Sequence, residues 1–136
     1  IKVTLWDALD LPAADLLGSR RVGGAAMEVL WMLAMRCPCS VLEAPFRPHS
    51  TLERERLSRL DAQFVEVHCS CSPTVATHRY ERRAHERHPA HVLHVLTPEH
   101  LADFDGPMRV GPVIEVNTEE VIDVPSVARR VRELLT

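Results

Sequence analysis

Short apolar segments that alternate with helical segments constrain the fold of this chain more than any other feature. Residues 40–44, 63–69 and 113–117 have the composition of buried strands, and helical patterns lie between them. This alternation predicts a mostly parallel sheet with helices on both faces, an α/β fold with three α/β/α layers. Three strands are few for such a sheet, which normally has about five.

Capping residues mark where the helices begin. Ser19 is predicted to cap the second helix. Ser50 or the threonine after it is predicted to cap the third, whose charged residues, including Glu53, face solvent. Ser72 precedes a proline, which is a strong helix start, and Thr97-Pro98-Glu99 starts a further short helix. The predicted helices span residues 2–11, 19–36, 51–60, 73–86, 98–104 and 125–135.

Length and composition fit one globular domain over residues 1–136. Apolar residues make up 46% of the chain and charged residues 26%, which are ordinary values for soluble domains. A net charge of -3 gives no reason to expect nucleic-acid binding, and no window is apolar enough to span a membrane. No signal peptide is visible, so we expect a cytoplasmic protein with reduced cysteines. The oligomeric state is left open.

Residues suited to phosphate chemistry follow the first two predicted strands. Glu43 lies at the end of the 40–44 segment, and a carboxylate there faces the crevice in which open α/β sheets bind ligands. An arginine-rich helix, from Arg79 to Arg87, follows the second strand, and planar guanidinium groups suit phosphate oxygens. A plainer interpretation stays open, in which Glu43 pairs with Arg47 and the arginine helix is a solvated face.

Four motifs in this order resemble a known family. They are Leu-Glu-Ala-Pro-Phe-Arg at 42–47, Val-Glu-Val-His-Cys at 65–69, Arg-Tyr-x-x-Arg with Arg-His-Pro-x-His over 79–91, and Gly-Pro-Val-Ile-Glu-Val-Asn-Thr at 111–118. Together they resemble the small P-loop kinases often described as AAA-type ATPases. These are adenylate-kinase-like phosphotransferases that act on small molecules. The resemblance covers nearly the whole chain.

The resemblance implies catalytic and substrate-binding roles. Glu43 would help to position magnesium or the attacking group, and Arg47 would lie in the loop that faces the substrate. Arg83 and Arg87 would stabilise the transferring phosphoryl group from a lid-like segment at about residues 79–100. The implied reaction is ATP-dependent phosphotransfer to a small-molecule acceptor, with Mg²⁺.

The resemblance also implies a nucleotide site. Arg79 and Arg83 would contact the phosphates or the adenine of ATP, and Asn117 with Thr118 would lie near the adenine ring. The family's Gly-x-x-x-x-Gly-Lys-Ser/Thr loop and the strand before it are missing from the chain. In the family that strand lies between the segments at 40–44 and 63–69. We therefore expect the chain to be an N-terminally incomplete part of a larger kinase.

Two other functions stay open. The chain is alternatively a nucleotide-binding or regulatory module without catalysis. It is alternatively a metal protein, because histidines at positions 85, 88, 91, 94 and 100 accompany two Cys-x-Cys pairs. Structural zinc sites usually place two residues between paired cysteines, and here there is one. Pro89 also breaks the helix that would align the histidines.

Overall fold

The computed structural model describes residues 1–13, 15–92 and 96–136. They form two compact units, a first unit of Ile1–Leu42 with Tyr80–Leu96 and a second unit of Glu43–Arg79 with Thr97–Thr136. Within these residues, no helix has both the length and the apolar character needed to cross a membrane. In chain order the elements are α1 (Lys2–Ala8), α2 (Leu16–Ala34), α3 (Thr51–Ser58), β1 (Glu66–Ser70), α4 (Pro73–Arg82), a 3₁₀ turn (Ala84–Glu86), α5 (Pro98–Ala102), β2 (Val113–Asn117) and α6 (Val124–Leu134).

The sheet of the second unit consists of β1 and β2, which run parallel. The register pairs Glu66 with Val113 and Ser70 with Asn117. α6 packs against β2, whose Ile114 is completely buried. These features confirm an α/β fold with a parallel sheet. The three-layer arrangement and the kinase-type fold stay predictions.

The prediction of a strand at residues 40–44 is wrong. The backbone there is irregular, and Val41 is 96% exposed. An extended segment becomes a strand only when a neighbour pairs with its N–H and C=O groups. Among the residues that the structure describes, this segment has no such neighbour, because β1 pairs only with β2. Apolar composition predicted burial here, but composition alone provides no hydrogen-bonding partner.

The starts of three helices were predicted correctly. Ser50 Oγ accepts a hydrogen bond from Glu53 N at the start of α3, and Ser72 Oγ accepts one from Val75 N at the start of α4. Thr97 and His100 form a reciprocal capping box at α5. In each case the hydroxyl satisfies an N–H group that the helix itself leaves without a partner.

The capping residue of α2 was predicted wrongly. Asp15 caps this helix, because its Oδ1 accepts a hydrogen bond from Gly18 N at 2.8 Å. Ser19 lies one turn further along and is buried. Its hydroxyl accepts from Lys2 Nζ at 2.9 Å and donates to Ala90 O at 2.7 Å. Ser19 therefore attaches the 88–92 segment to α1 and α2 instead of capping a helix.

A small apolar core lies in the first unit, next to the hydrogen bond from Ser19 to Ala90. Trp6 of α1, Val22 of α2 and Ala90 are buried together, and Leu5, Leu11 and Val92 pack against them. Helices α1 and α2 therefore have an inward side that the 90–92 segment helps to cover.

A glycine near β2 gives a direct test of the packing in the second unit. A Cβ at Gly111 would collide with the carbonyl oxygen of Phe64 and lie 3.0 Å from its carbonyl carbon. Both obstacles are backbone atoms, so Gly111→Ala should lower the free energy of unfolding by about 1–3 kcal/mol, as measured by urea titration.

Gly24→Ala is the matched control for that substitution. A Cβ at Gly24 would meet no heavy atom within 4 Å, and Gly24 lies inside α2. This change should raise stability by about 0.5–1 kcal/mol, because alanine favours helix more than glycine does. Equal effects of the two substitutions would show that the close approach at Gly111 is not present.

Candidate functional site

The carboxyl ends of β1 and β2 lie together at one edge of the sheet. The strands are parallel, and their last residues, Ser70 and Asn117, are partners in the register. Thr118 extends the pairing beyond β2, because both its backbone N–H and its hydroxyl donate to Ser70 O, at 2.8 and 2.9 Å. This edge is where open α/β sheets bind ligands, and we call it the carboxyl edge.

Arg79 of α4 lies at the carboxyl edge and contacts Thr118 through two hydrogen bonds. NH1 donates to Thr118 Oγ1 at 2.8 Å, and NH2 donates to the Thr118 carbonyl oxygen at 2.7 Å. The structure thus brings together three residues predicted for the nucleotide site, namely Arg79, Thr118 and the preceding Asn117. The two-point contact fixes the plane of the guanidinium group, which orients a cation at the edge.

Glu119 joins the carboxyl edge to the start of α4, and sequence reasoning missed it. Its Oε1 accepts a hydrogen bond from Ser72 N at 2.5 Å, and its own N–H donates to Asn117 Oδ1 at 3.0 Å. The hydrogen bonds from the Ser72 backbone and side chain lower the pKa of Glu119 from 4.5, with a smaller effect of the nearby Arg79 charge. The sequence signal was only an acid just after a strand. Its closeness to the N-terminus of α4, where negative charge is favoured, is visible in the structure alone.

The structure does not bring Glu43 into such an arrangement. Glu43 is exposed and lies on irregular backbone, because the strand that was predicted to end there does not form. Its predicted role with magnesium or with the attacking group stays a prediction.

Arg47, predicted to bind substrate, forms an ion pair with Glu53 of α3. Its Nε donates to Glu53 Oε1 at 2.8 Å, its NH2 lies 2.7 Å from the same oxygen, and its backbone N–H donates to Oε2 at 2.6 Å. Glu53 is 6% exposed, so the prediction that it faces solvent is wrong. A buried carboxylate needs such partners, because desolvating an unpaired charge is costly. This contact gives Arg47 a structural role.

Arg83 and Arg87, predicted as catalytic, belong to the first unit. Arg83 is exposed and precedes the 3₁₀ turn. The guanidinium carbon of Arg87 lies 3.7 Å from the centroid of the Tyr80 ring, and its NH2 donates to Tyr80 O at 3.0 Å. A cation over an aromatic face is attracted by the electron-rich ring. Tyr80 therefore orients Arg87.

Three of the histidines considered for metal binding, at positions 85, 88 and 100, contact other side chains. His88 Nε2 lies 3.0 Å from Asp7 Oδ1, and His88 Nδ1 accepts a hydrogen bond from Ala90 N. His91 keeps much of its surface exposed, yet desolvation of its ring lowers its pKa, and the charges of Lys2, His88 and Arg87 lower it further.

A zinc site finds no support in the described parts of the chain. There, no group of three or more His, Cys, Asp or Glu residues is placed to hold a metal ion. His94 lies outside the described residues. The four cysteines are free thiols, as the sequence predicted.

No protein-family model matches the chain, and no curated protein or solved structure matches it either. The kinase-like interpretation therefore depends on the sequence motifs and on the geometry of the carboxyl edge.

The ion pair in the second unit predicts a stability effect. Arg47→Ala removes the guanidinium group and leaves the Glu53 carboxylate buried with fewer donors. Because Arg47 itself is half exposed, we expect a moderate loss of about 1–2 kcal/mol in the free energy of unfolding. Arg130→Ala, at an exposed position of α6, should change stability by less than about 0.5 kcal/mol. Equal stabilities for wild type and Arg47→Ala would contradict the structural role.

The lowered pKa of Glu119 predicts a pH dependence of stability. Its carboxylate stays ionised to lower pH in the folded chain than in the unfolded chain. The stabilisation is therefore complete above the ordinary value of 4.5 and is lost as the pH falls through the lowered folded value. Glu119→Gln keeps an acceptor for Ser72 N but removes the titration. Urea midpoints measured from neutral to acid pH should then fall less steeply in the variant.

Two comparisons make that test specific. Glu81→Gln removes another exposed carboxylate and should leave the slope of the wild type in place. High salt should reduce only the small part of the effect that comes from the Arg79 charge, since salt screens exposed charges and not hydrogen bonds. Identical slopes for wild type and Glu119→Gln at low salt would refute the assignment.

Proposed function

We propose that this chain belongs to an ATP-dependent phosphotransferase that acts on a small molecule, with the nucleotide at the carboxyl edge. The observation that supports the proposal most is the contact of Arg79 with Thr118 at the end of a parallel strand pair. Ligands of open α/β sheets bind at this end of the strands. Phosphoryl transfer needs oriented cations more than covalent chemistry, and an arginine fork supplies one.

The proposal gives each predicted residue a role. Arg79 orients the phosphates or the adenine, and Asn117 with Thr118 borders the adenine. Arg83 and Arg87 stabilise the charge of the transferring group, and Glu43 helps to position Mg²⁺ or the acceptor.

The proposal assigns no phosphate-binding loop to these residues. The chain has no Gly-x-x-x-x-Gly-Lys-Ser/Thr motif. The roles assigned here therefore concern contacts with the adenine and contacts of arginines with the phosphates.

The irregular backbone at Glu43 favours a second candidate function, a module that binds nucleotide without catalysing transfer. The reason is that no strand end holds the proposed catalytic acid.

Calorimetric titration of ATP, with and without Mg²⁺, tests the proposal on the protein expressed from the full gene. Arg79→Ala should weaken ATP binding at least tenfold, equivalent to about 1.4 kcal/mol, because it removes the cation at the carboxyl edge. Arg82→Ala removes an exposed arginine from the same helix and should leave the affinity unchanged.

The outcomes separate the candidates. ATP binding with phosphotransfer to a small acceptor supports the kinase, and ATP binding without turnover supports the binding module. Absence of ATP binding in the wild type contradicts both. Equal losses from the two arginine variants would point to general electrostatics rather than to a site at Arg79.

A further inference from the structure

One face of the β1–β2 pair is polar. Side chains alternate along a strand, so Glu66, His68 and Ser70 of β1 share a face with their register partners, which include Glu115 and Asn117 of β2. Parallel sheets normally have apolar side chains on both faces, because helices cover them. A row of polar side chains on this face therefore needs an explanation other than core packing.

An open basin of about 510 Å³ lies in the second unit against this polar face. His68, Ser70 and Glu115 of the sheet line it, together with residues of two loops that include His49 and Arg109. We call it the polar basin. Its volume is in the usual range for small-molecule sites, roughly 300–1,000 Å³.

The two loops that border the polar basin are held in place by side chains. Arg54 connects them, because its Nε donates to Pro48 O at 2.8 Å and its NH1 to Met108 O at 3.0 Å. The Glu66 carboxylate accepts hydrogen bonds from Met108 N at 2.6 Å and from Arg109 N at 2.8 Å. The rim of the basin is therefore fixed by charge-assisted hydrogen bonds.

Arg109 has a disfavoured backbone conformation. Its φ is 55°, in the left-handed region that non-glycine residues rarely adopt. The hydrogen bond from its N–H to Glu66 holds it there. Strained residues concentrate at functional sites, where the strain aims a side chain. The Arg109 side chain lines the basin, and in the described part of the chain it has no hydrogen bond or ion pair.

Two of the other charged side chains that line the basin, Asp105 and Arg54, already have partners. The carboxylate of Asp105 is already in contact with His49, at 3.0 Å from Nε2. Glu115 lies opposite His68 in the strand register. Among the described residues, the guanidinium of Arg54 contacts two backbone carbonyls and no carboxylate. Arg109 is thus the cation of the basin that is best placed to take up an external anion.

We propose that the polar basin binds a small phosphate-bearing molecule, with the Arg109 guanidinium as its main anchor and the His68 imidazole and Ser70 hydroxyl as further donors. A phosphate group presents several acceptor oxygens in different directions. It therefore suits donors that come from two strands and a loop better than a planar carboxylate does. This proposal does not depend on the proposed function.

NMR titration with inorganic phosphate at constant ionic strength tests the proposal, with acetate as a parallel probe. We expect saturable shifts of the backbone amides of residues 68, 70 and 105–109 with phosphate, and much weaker ones with acetate. Arg109→Gly removes the guanidinium while glycine accepts the positive φ without strain. This variant should fold at least as stably as the wild type and bind phosphate at least tenfold more weakly.

Two controls separate the guanidinium from other effects. Asp10 is the other described non-glycine residue with positive φ, at 48°, so Asp10→Gly relieves similar strain elsewhere and should keep phosphate binding. Arg130→Gln removes an exposed arginine from α6 and should also keep it. The proposal is overturned if the wild type shows no saturable shifts, if Arg109→Gly binds as tightly as the wild type, or if Arg130→Gln loses as much affinity. Equal responses to acetate would overturn the choice of phosphate.

Discussion

Parallel pairing of β1 with β2 is the interaction on which the rest of the second unit depends. It aligns Ser70 with Asn117, so that Thr118 continues the pairing by donating to Ser70 O. Arg79 then reaches Thr118, although 39 positions separate the two residues in the chain. The carboxyl edge therefore results from register, which brings together side chains that no local pattern would connect.

The same register creates the polar face of the sheet. A shift of one residue along β1 would replace His68 and Ser70 by Val67 and Cys69 on this face. The carboxyl edge and the polar basin are thus two consequences of one pairing. Glu66 strengthens the arrangement, because it belongs to β1 and also holds the loop that carries Arg109.

Most local signals were read correctly from the sequence, and features that depend on distant partners were not. The cap of α2 is the exception among the local signals, because Asp15 and not Ser19 caps that helix. The caps at Ser50, Ser72 and Thr97 involve residues three positions away, so a short stretch of sequence contains all the information. The segment at 40–44 has strand-like composition, but a strand also needs a paired neighbour. Glu53 looked like part of a solvated face because its partner Arg47 lies in the preceding loop.

The two candidate sites also differ in how much of them the sequence predicted. The motif order pointed to Arg79, Asn117 and Thr118, and the structure brings them to one edge. Nothing local indicated the polar basin, because it combines alternate residues of two strands with separate loops. The sequence could not predict the positive φ of Arg109 either, because this backbone conformation is held by Glu66, a residue 43 positions earlier.

A double-mutant cycle between Arg79 and Thr118 tests the account of the carboxyl edge most directly. The free energies of unfolding of Arg79→Ala, Thr118→Val and the double variant would be compared with that of the wild type. The contact between the Arg79 guanidinium and the Thr118 hydroxyl predicts a coupling of about 1 kcal/mol. Effects that add to within about 0.3 kcal/mol would contradict the contact of the guanidinium with the hydroxyl, which is one of the two contacts that orient Arg79 at this edge.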